Sequence, residues 1–117
     1  MGNGRSPAPE EPPIWFDGWV ILPDSMQLRS EDGALEHLTE VEYRILILLA
    51  RNPRRVVTRD QLAVVAGRPL HLHDRSIDVH ISNLRRKLDR DTSLPSVIRT
   101  MRGAGYMFVP NCERALR

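Results

Sequence analysis

The chain has 117 residues, 41% apolar and 27% charged, ordinary values for one globular domain. A domain of this size buries about 65% of its unfolded surface and needs no staples. Its single cysteine, Cys112, excludes an internal disulfide and a cysteine-based metal site, and no apolar run approaches the roughly 20 residues of a membrane span.

The formal net charge of +2 hides an asymmetry. Residues 1–50 carry three Arg against nine Asp or Glu, and residues 51–117 carry fourteen Lys or Arg against six Asp or Glu. A basic second half points to a polyanionic partner, although a solvated basic face has the same composition.

Residues 1–13, with four Pro and two Gly, read as a flexible linker or an expression remnant. They hold no hydrophobic stretch of a secretory signal, so the expected compartment is the cytoplasm. Trp15, Phe16 and Trp19 open a strand-rich region. The short runs 19–22, 26–29 and 35–38 are separated by Pro23-Asp24-Ser25 and Glu31-Asp32-Gly33, which predicts an antiparallel sheet of three or four strands.

Thr39 and Glu42 form a capping box, flanked by Leu38 and Tyr43 as a hydrophobic staple, and predict a first helix that Asn52-Pro53 ends. A second box, Thr58 with Gln61 and Val57 with Leu62, starts a short helix that Gly67 and Pro69 stop. Residues 67–73 form a loop. A third helix runs from about Asp74 to Leu88, followed by a polar linker to Pro95. Two strands, about 97–101 and 105–109, close the domain around Gly103 and Gly105, with residues 111–117 as a tail.

At 100° per residue, Ile77, Ile81, Leu84 and Leu88 of the third helix fall within about 60° of one another and predict its core stripe. Arg75, Ser76, Val79, Ser82, Asn83 and Arg86 spread over the opposite arc. Such an arc suits the major groove, where donors, acceptors and thymine methyls are read. Sheet, three helices and a hairpin, with two short-linked helices before the hairpin, give an α+β class over residues 14–110. The architecture is a winged helix-turn-helix with an N-terminal antiparallel sheet and a C-terminal β-hairpin wing.

Four segments carry a family resemblance: Leu38-Thr39-x-x-Glu42, Val56-Val57-Thr58-Arg59-x-Gln61-Leu62, the run from Asp74 to Leu88, and Ile98-Arg99-Thr100-Met101-Arg102-Gly103-Ala104-Gly105-Tyr106. Together they resemble the OmpR/PhoB-type winged-helix DNA-binding domain, the effector module of bacterial two-component response regulators. The run HISNLRRKL resembles the CpxR-like branch in particular. The resemblance covers roughly residues 15–110.

It implies phosphorelay signalling through a receiver domain in a longer parent chain. It also implies a monomer in solution and a tandem dimer on direct-repeat half-sites of double-stranded DNA. RNA polymerase is the implied partner of the loop residues Arg68, Leu70 and His71. His80 matches a position that touches backbone phosphate. Members of the family often carry Arg where this chain has Ser82 or Asn83, which shifts the expected sequence preference.

The expected DNA-contact set adds several groups to the helical arc. Asn83 suits adenine, Arg75 and Arg86 suit guanine or phosphate, and Val79 suits a thymine methyl. Arg55, Thr58 and Arg59 stand at a helix N-terminus, where exposed amides attract anions. Lys87 adds nonspecific charge. Arg102 sits at the wing tip beside two glycines, placed for a minor groove, with Thr100 and Tyr106 on the same hairpin. Asp78 and Arg85 share one flank of the helix and read as mainly structural.

His71 and His73, with no cysteine or acidic cluster nearby, are too few for a metal site, and no cofactor is expected. No nucleophile motif, paired carboxylates or phosphate loop supports an enzyme. The alternative is a winged-helix protein-interaction module without DNA function, which need not present Arg75, Arg86 and Arg102 together. RNA binding would call for paired exposed aromatics on a sheet, which the chain lacks.

Overall fold

The computed structural model describes residues 11–67 and 76–111, and of Ser76 the backbone alone. Arg68, Leu70, His71, His73, Arg75, Cys112 and the expected helix start at Asp74 lie outside the described residues.

Strands β1 (Ile14–Phe16), β2 (Trp19–Leu22), β3 (Gln27–Ser30) and β4 (Leu35–Glu36) form one antiparallel sheet in chain order. Phe16 pairs with Trp19 and Trp19 with Ser30, while Ile14, Ile21 and Leu28 share the next inward row. The other face carries the row Trp15, Val20, Arg29 and Leu35. Two boundaries differ from the sequence expectation. Pro23–Ser25 form a single 3-10 turn closed by Met26 N–H on the Pro23 carbonyl at 3.2 Å, so Met26 adopts a left-handed conformation and β3 starts one residue later. The expected run 35–38 keeps only two strand residues, because Thr39 already begins the helix cap.

Helix α1 (Glu40–Ala50) has both bonds of its capping box: Glu42 N–H donates to Thr39 Oγ1 at 3.1 Å, and Thr39 N–H donates to Glu42 Oε1 at 3.0 Å. Helix α2 (Arg59–Val65) repeats the device with Thr58 and Gln61, at 3.1 and 2.8 Å. Helix α3 is Ser76–Leu88. Its predicted stripe, Ile77, Ile81, Leu84 and Leu88, is buried in one cluster with Ile45, Leu46 and Leu49 of α1 and Leu62 of α2. Each such side chain contributes about 2 kcal/mol by leaving water.

A second sheet holds β5 (Val56–Val57), β6 (Ile98–Met101) and β7 (Gly105–Phe108) in the order β5-β7-β6. The β6–β7 hairpin was expected; β5 was not, because two valines before a helix cap carry no strand period. It pairs Val56 with Met107 and Val57 with Tyr106.

Two aromatic contacts join the layers. Phe16 meets Phe108 edge-on, with centroids 4.9 Å apart. Trp19 Nε1–H donates to the Leu88 carbonyl at 3.1 Å, closing the end of α3 onto the first sheet, and the Arg90 guanidinium covers its ring at 4.0 Å. The ends of the domain are also tied. Glu11, within the expected linker, pairs with Arg51, and Asn111 N–H, at the start of the expected tail, donates to Asp17 Oδ2 at 3.2 Å. Among the described residues no helix is long and apolar enough to cross a membrane.

Candidate nucleic-acid interface

The stripe that buries one side of α3 fixes which side chains its other side offers. Val79 is 54% exposed, and Ser82 and Arg86 are exposed beside it. Asn83 is half-buried, and its Oδ1 accepts from Arg86 Nη1 at 2.9 Å. Four members of the predicted arc therefore share one open surface: an apolar group, a hydroxyl, an amide and a guanidinium.

The two flanks of α3 are held differently. On the wing side, Arg85 donates through Nε and Nη2 to the Ile98 carbonyl, at 3.0 and 2.8 Å, and through Nη2 to Thr100 Oγ1 at 2.7 Å. Its guanidinium also lies 5.7 Å from the centroid of the Tyr106 ring. Asp78 accepts from Arg59 and from the Tyr106 hydroxyl. Tyr106 is only 7% exposed, and burial together with the Asp78 hydrogen bond pushes its phenol above the ordinary range. Its ring and hydroxyl thus serve the join between wing and helix. Thr100 is exposed while accepting from Arg85.

On the α1 side, Lys87 donates to Glu42 Oε1 at 2.6 Å and to the His37 carbonyl at 2.9 Å. Lys87, expected to add nonspecific charge toward DNA, is thus engaged with α1 in this structure. Glu42 is only 3% exposed, and a carboxylate so enclosed needs a cationic partner. Burial opposes the charge of Glu42, but the Lys87 and Thr39 hydrogen bonds and the nearby Lys87 and His80 charges outweigh it and hold the carboxyl below its ordinary value. His80, half-buried on the same flank, has an enclosed Nδ1 without a hydrogen-bond partner among the described residues.

At the rim, Arg102 is exposed at the wing tip and makes no hydrogen bond or ion pair among the described residues. The tip is a tight turn in which Ala104 N–H reaches the Met101 carbonyl at 2.8 Å. Arg55 is exposed ahead of α2, and Thr58 is exposed while its hydroxyl caps that helix. Arg59 begins α2 and is paired with Asp78. Arg59, Asp78, Thr100, Arg102 and Tyr106 line one shallow groove between wing and helices.

The join itself was only half visible in the sequence. The seven-residue spacing of Asp78 and Arg85 places them on one flank, but the partners of Arg85 include a backbone carbonyl on a distant strand, which no side-chain pattern announces. Among the described residues no group of His, Cys, Asp and Glu is arranged to hold a metal ion.

The family model described as transcriptional regulatory protein, C terminal, matches residues 33–108. The regulatory protein VirG of Rhizobium rhizogenes is 41% identical over 96 residues, which is 81% of this chain and 40% of that protein. The transcriptional regulatory protein CpxR homolog of Haemophilus influenzae is 47% identical over 95 residues, 80% of this chain and 41% of that one. This chain therefore spans about two fifths of the length of these curated relatives.

Among solved structures, the DNA-binding domain of CpxR from E. coli is 40% identical with a TM-score of 0.76, and the match covers 86% of this chain and 98% of that domain. The Klebsiella pneumoniae RstA DNA-binding domain, solved in complex with the RstA box, is 32% identical with a TM-score of 0.73, covering 86% and 100%.

Proposed function

This chain belongs to the family of transcriptional regulatory protein C-terminal domains, of OmpR/PhoB type, and from that premise we propose how it reads DNA. It is a winged-helix DNA-binding domain of a transcriptional regulator, in a family of regulator domains and not of enzymes. Helix α3 enters the major groove with Val79, Ser82, Asn83 and Arg86, while Arg102 reaches the adjacent minor groove. Arg55, Thr58, Arg59, His80 and Thr100 lie against phosphate, and Arg75 and Ser76 complete the proposed contact set. Phosphate contacts set affinity and register, and the helical arc sets sequence preference.

The observation that carries this reading is the open arc of α3 on a helix clamped to the wing by Arg85. In the longer parent chain a receiver domain passes on a phosphorelay signal. The domain is a monomer in solution and pairs in tandem on direct repeats, and Arg68, Leu70 and His71 meet RNA polymerase in the cytoplasm. The length of the curated relatives supports a parent of this kind.

Selection of bound duplexes from a random pool tests the reading. The expected result is a half-site repeated in one orientation about one helical turn apart, with affinity that falls steeply with salt. Binding that ignores both sequence and salt would overturn it and leave the protein-interaction alternative.

A further inference from the structure

Asp78 is an acidic residue in a groove shared with Arg102, on a face proposed to meet a polyanion. A carboxylate there repels phosphate and weakens binding, so its place calls for a compensating role. The geometry supplies one. A single oxygen, Oδ1, accepts from Arg59 at the start of α2 and from the Tyr106 hydroxyl on β7, while Asp78 itself belongs to α3. The start of α2, helix α3 and the wing strand that follows the Arg102 tip thus meet at one atom. All three partners line the groove, and the Arg85 guanidinium lies over the Tyr106 ring, 5.7 Å from its centroid.

We propose that Asp78 is a positioning residue for sequence recognition: it fixes the wing and the start of α2 against the recognition helix, so that the two grooves can be engaged in only one relative geometry. The inference rests on the DNA-reading function above. Asp78 sacrifices general affinity, through its charge, for discrimination, through the angle it sets. Without it the cationic groups remain, but they settle on phosphate in many registers.

The test compares the duplex enriched from the random pool with a shuffled duplex of the same length and composition, for the parent, Asp78→Asn, Asp78→Glu and Tyr106→Phe. Asp78→Asn should bind the shuffled duplex more tightly and lose about five- to tenfold in the ratio of the two affinities. Asp78→Glu keeps the charge but displaces the oxygen, and should lose the ratio while leaving shuffled binding unchanged. Tyr106→Phe keeps the carboxylate, should lower the ratio about threefold, and should add nothing in the Asp78→Asn background.

Equal gains on both duplexes for Asp78→Asn, with parental behaviour for Asp78→Glu, would reduce Asp78 to a charge and overturn the proposal. Equal losses on both duplexes for Tyr106→Phe would make its hydroxyl a phosphate contact, with the same consequence. If Asp78→Asn fails to fold by circular dichroism, Tyr106→Phe decides, since it removes one oxygen and no packing. A parent that does not discriminate the two duplexes overturns the DNA-reading function itself; a discriminating parent with unchanged variants overturns this proposal alone.

Discussion

The first sheet joins four strands that follow one another in the chain, each paired with its sequence neighbour. The second takes β5 from ahead of α2 and sets it against β7, so that Val57 pairs with Tyr106 across two intervening helices. The first sheet packs an aromatic and aliphatic face onto the core and ties the end of α3 through Trp19. The second is continuous with the exposed tip that carries Arg102. A local sheet suffices for a platform. A wing must be anchored to the helices whose position it complements, and only non-local pairing can do that.

The sharpest way to break the second sheet without touching its polar groups is Gly105→Ala. A Cβ there would lie 2.2 Å from the Val57 carbonyl oxygen, with φ at +146°. Strand β5 would have to move, at a cost of about 4 kcal/mol. Gly103→Ala, at φ +76° with open space around the added carbon, should cost only about 1 kcal/mol. Chemical denaturation of the two variants measures the difference, and similar midpoints would mean that β5 yields freely.

Trp19→Phe tests the platform. It removes the donor to the Leu88 carbonyl, 3.1 Å away, and should cost about 2 kcal/mol, while DNA affinity per folded molecule stays at the parental value. A loss of affinity in fully folded protein would mean that the platform also sets the reading geometry. Arg102→Ala should behave in the opposite way: parental stability, about tenfold weaker DNA binding, and a salt slope smaller by about one. Equal binding by variant and parent across several salt concentrations would remove the wing tip from the interface.

The smallest effect concerns the Glu42–Lys87 ion pair between α1 and α3. The Glu42 carboxyl is held below its ordinary value of 4.5 in the folded state. Its ionised form therefore stabilises the fold fully above that value, and the contribution is lost as pH falls through the lower, folded-state value. Glu42→Gln should cost about 1 kcal/mol near neutral pH and less in acid, so its thermal midpoint should vary less with pH below 4.5 than the parent's. Parallel curves would show that Lys87 gives Glu42 no preference for its charged form.

The legible part of the molecule is the part governed by short-range rules. Thr39 with Glu42 and Thr58 with Gln61 are three residues apart, so both helix starts follow from sequence alone. The stripe from Ile77 to Leu88 has the helical period, and once that stripe is core, Val79, Ser82 and Arg86 must face out. Lys87 shows where this reasoning stops. Its angular position puts it on a flank, and only the enclosed carboxylate of Glu42, 45 residues earlier, decides that the ammonium turns inward. The place of Tyr106 is decided in the same way by Asp78.

Sequence alone determined the class of fold, the capping of α1 and α2, the core stripe of α3, and the outward face that carries Val79, Ser82 and Arg86. Those follow from periodicity, capping chemistry and glycine placement, all of which act within a few residues. The tertiary structure decided the third strand of the wing sheet, the clamp of Arg85 on Ile98, the joint at Asp78 and the pairing of Lys87 with Glu42. Each depends on a partner brought close by chain closure, and the need of a buried or half-buried charge for such a partner selects which side chains stay free to meet DNA.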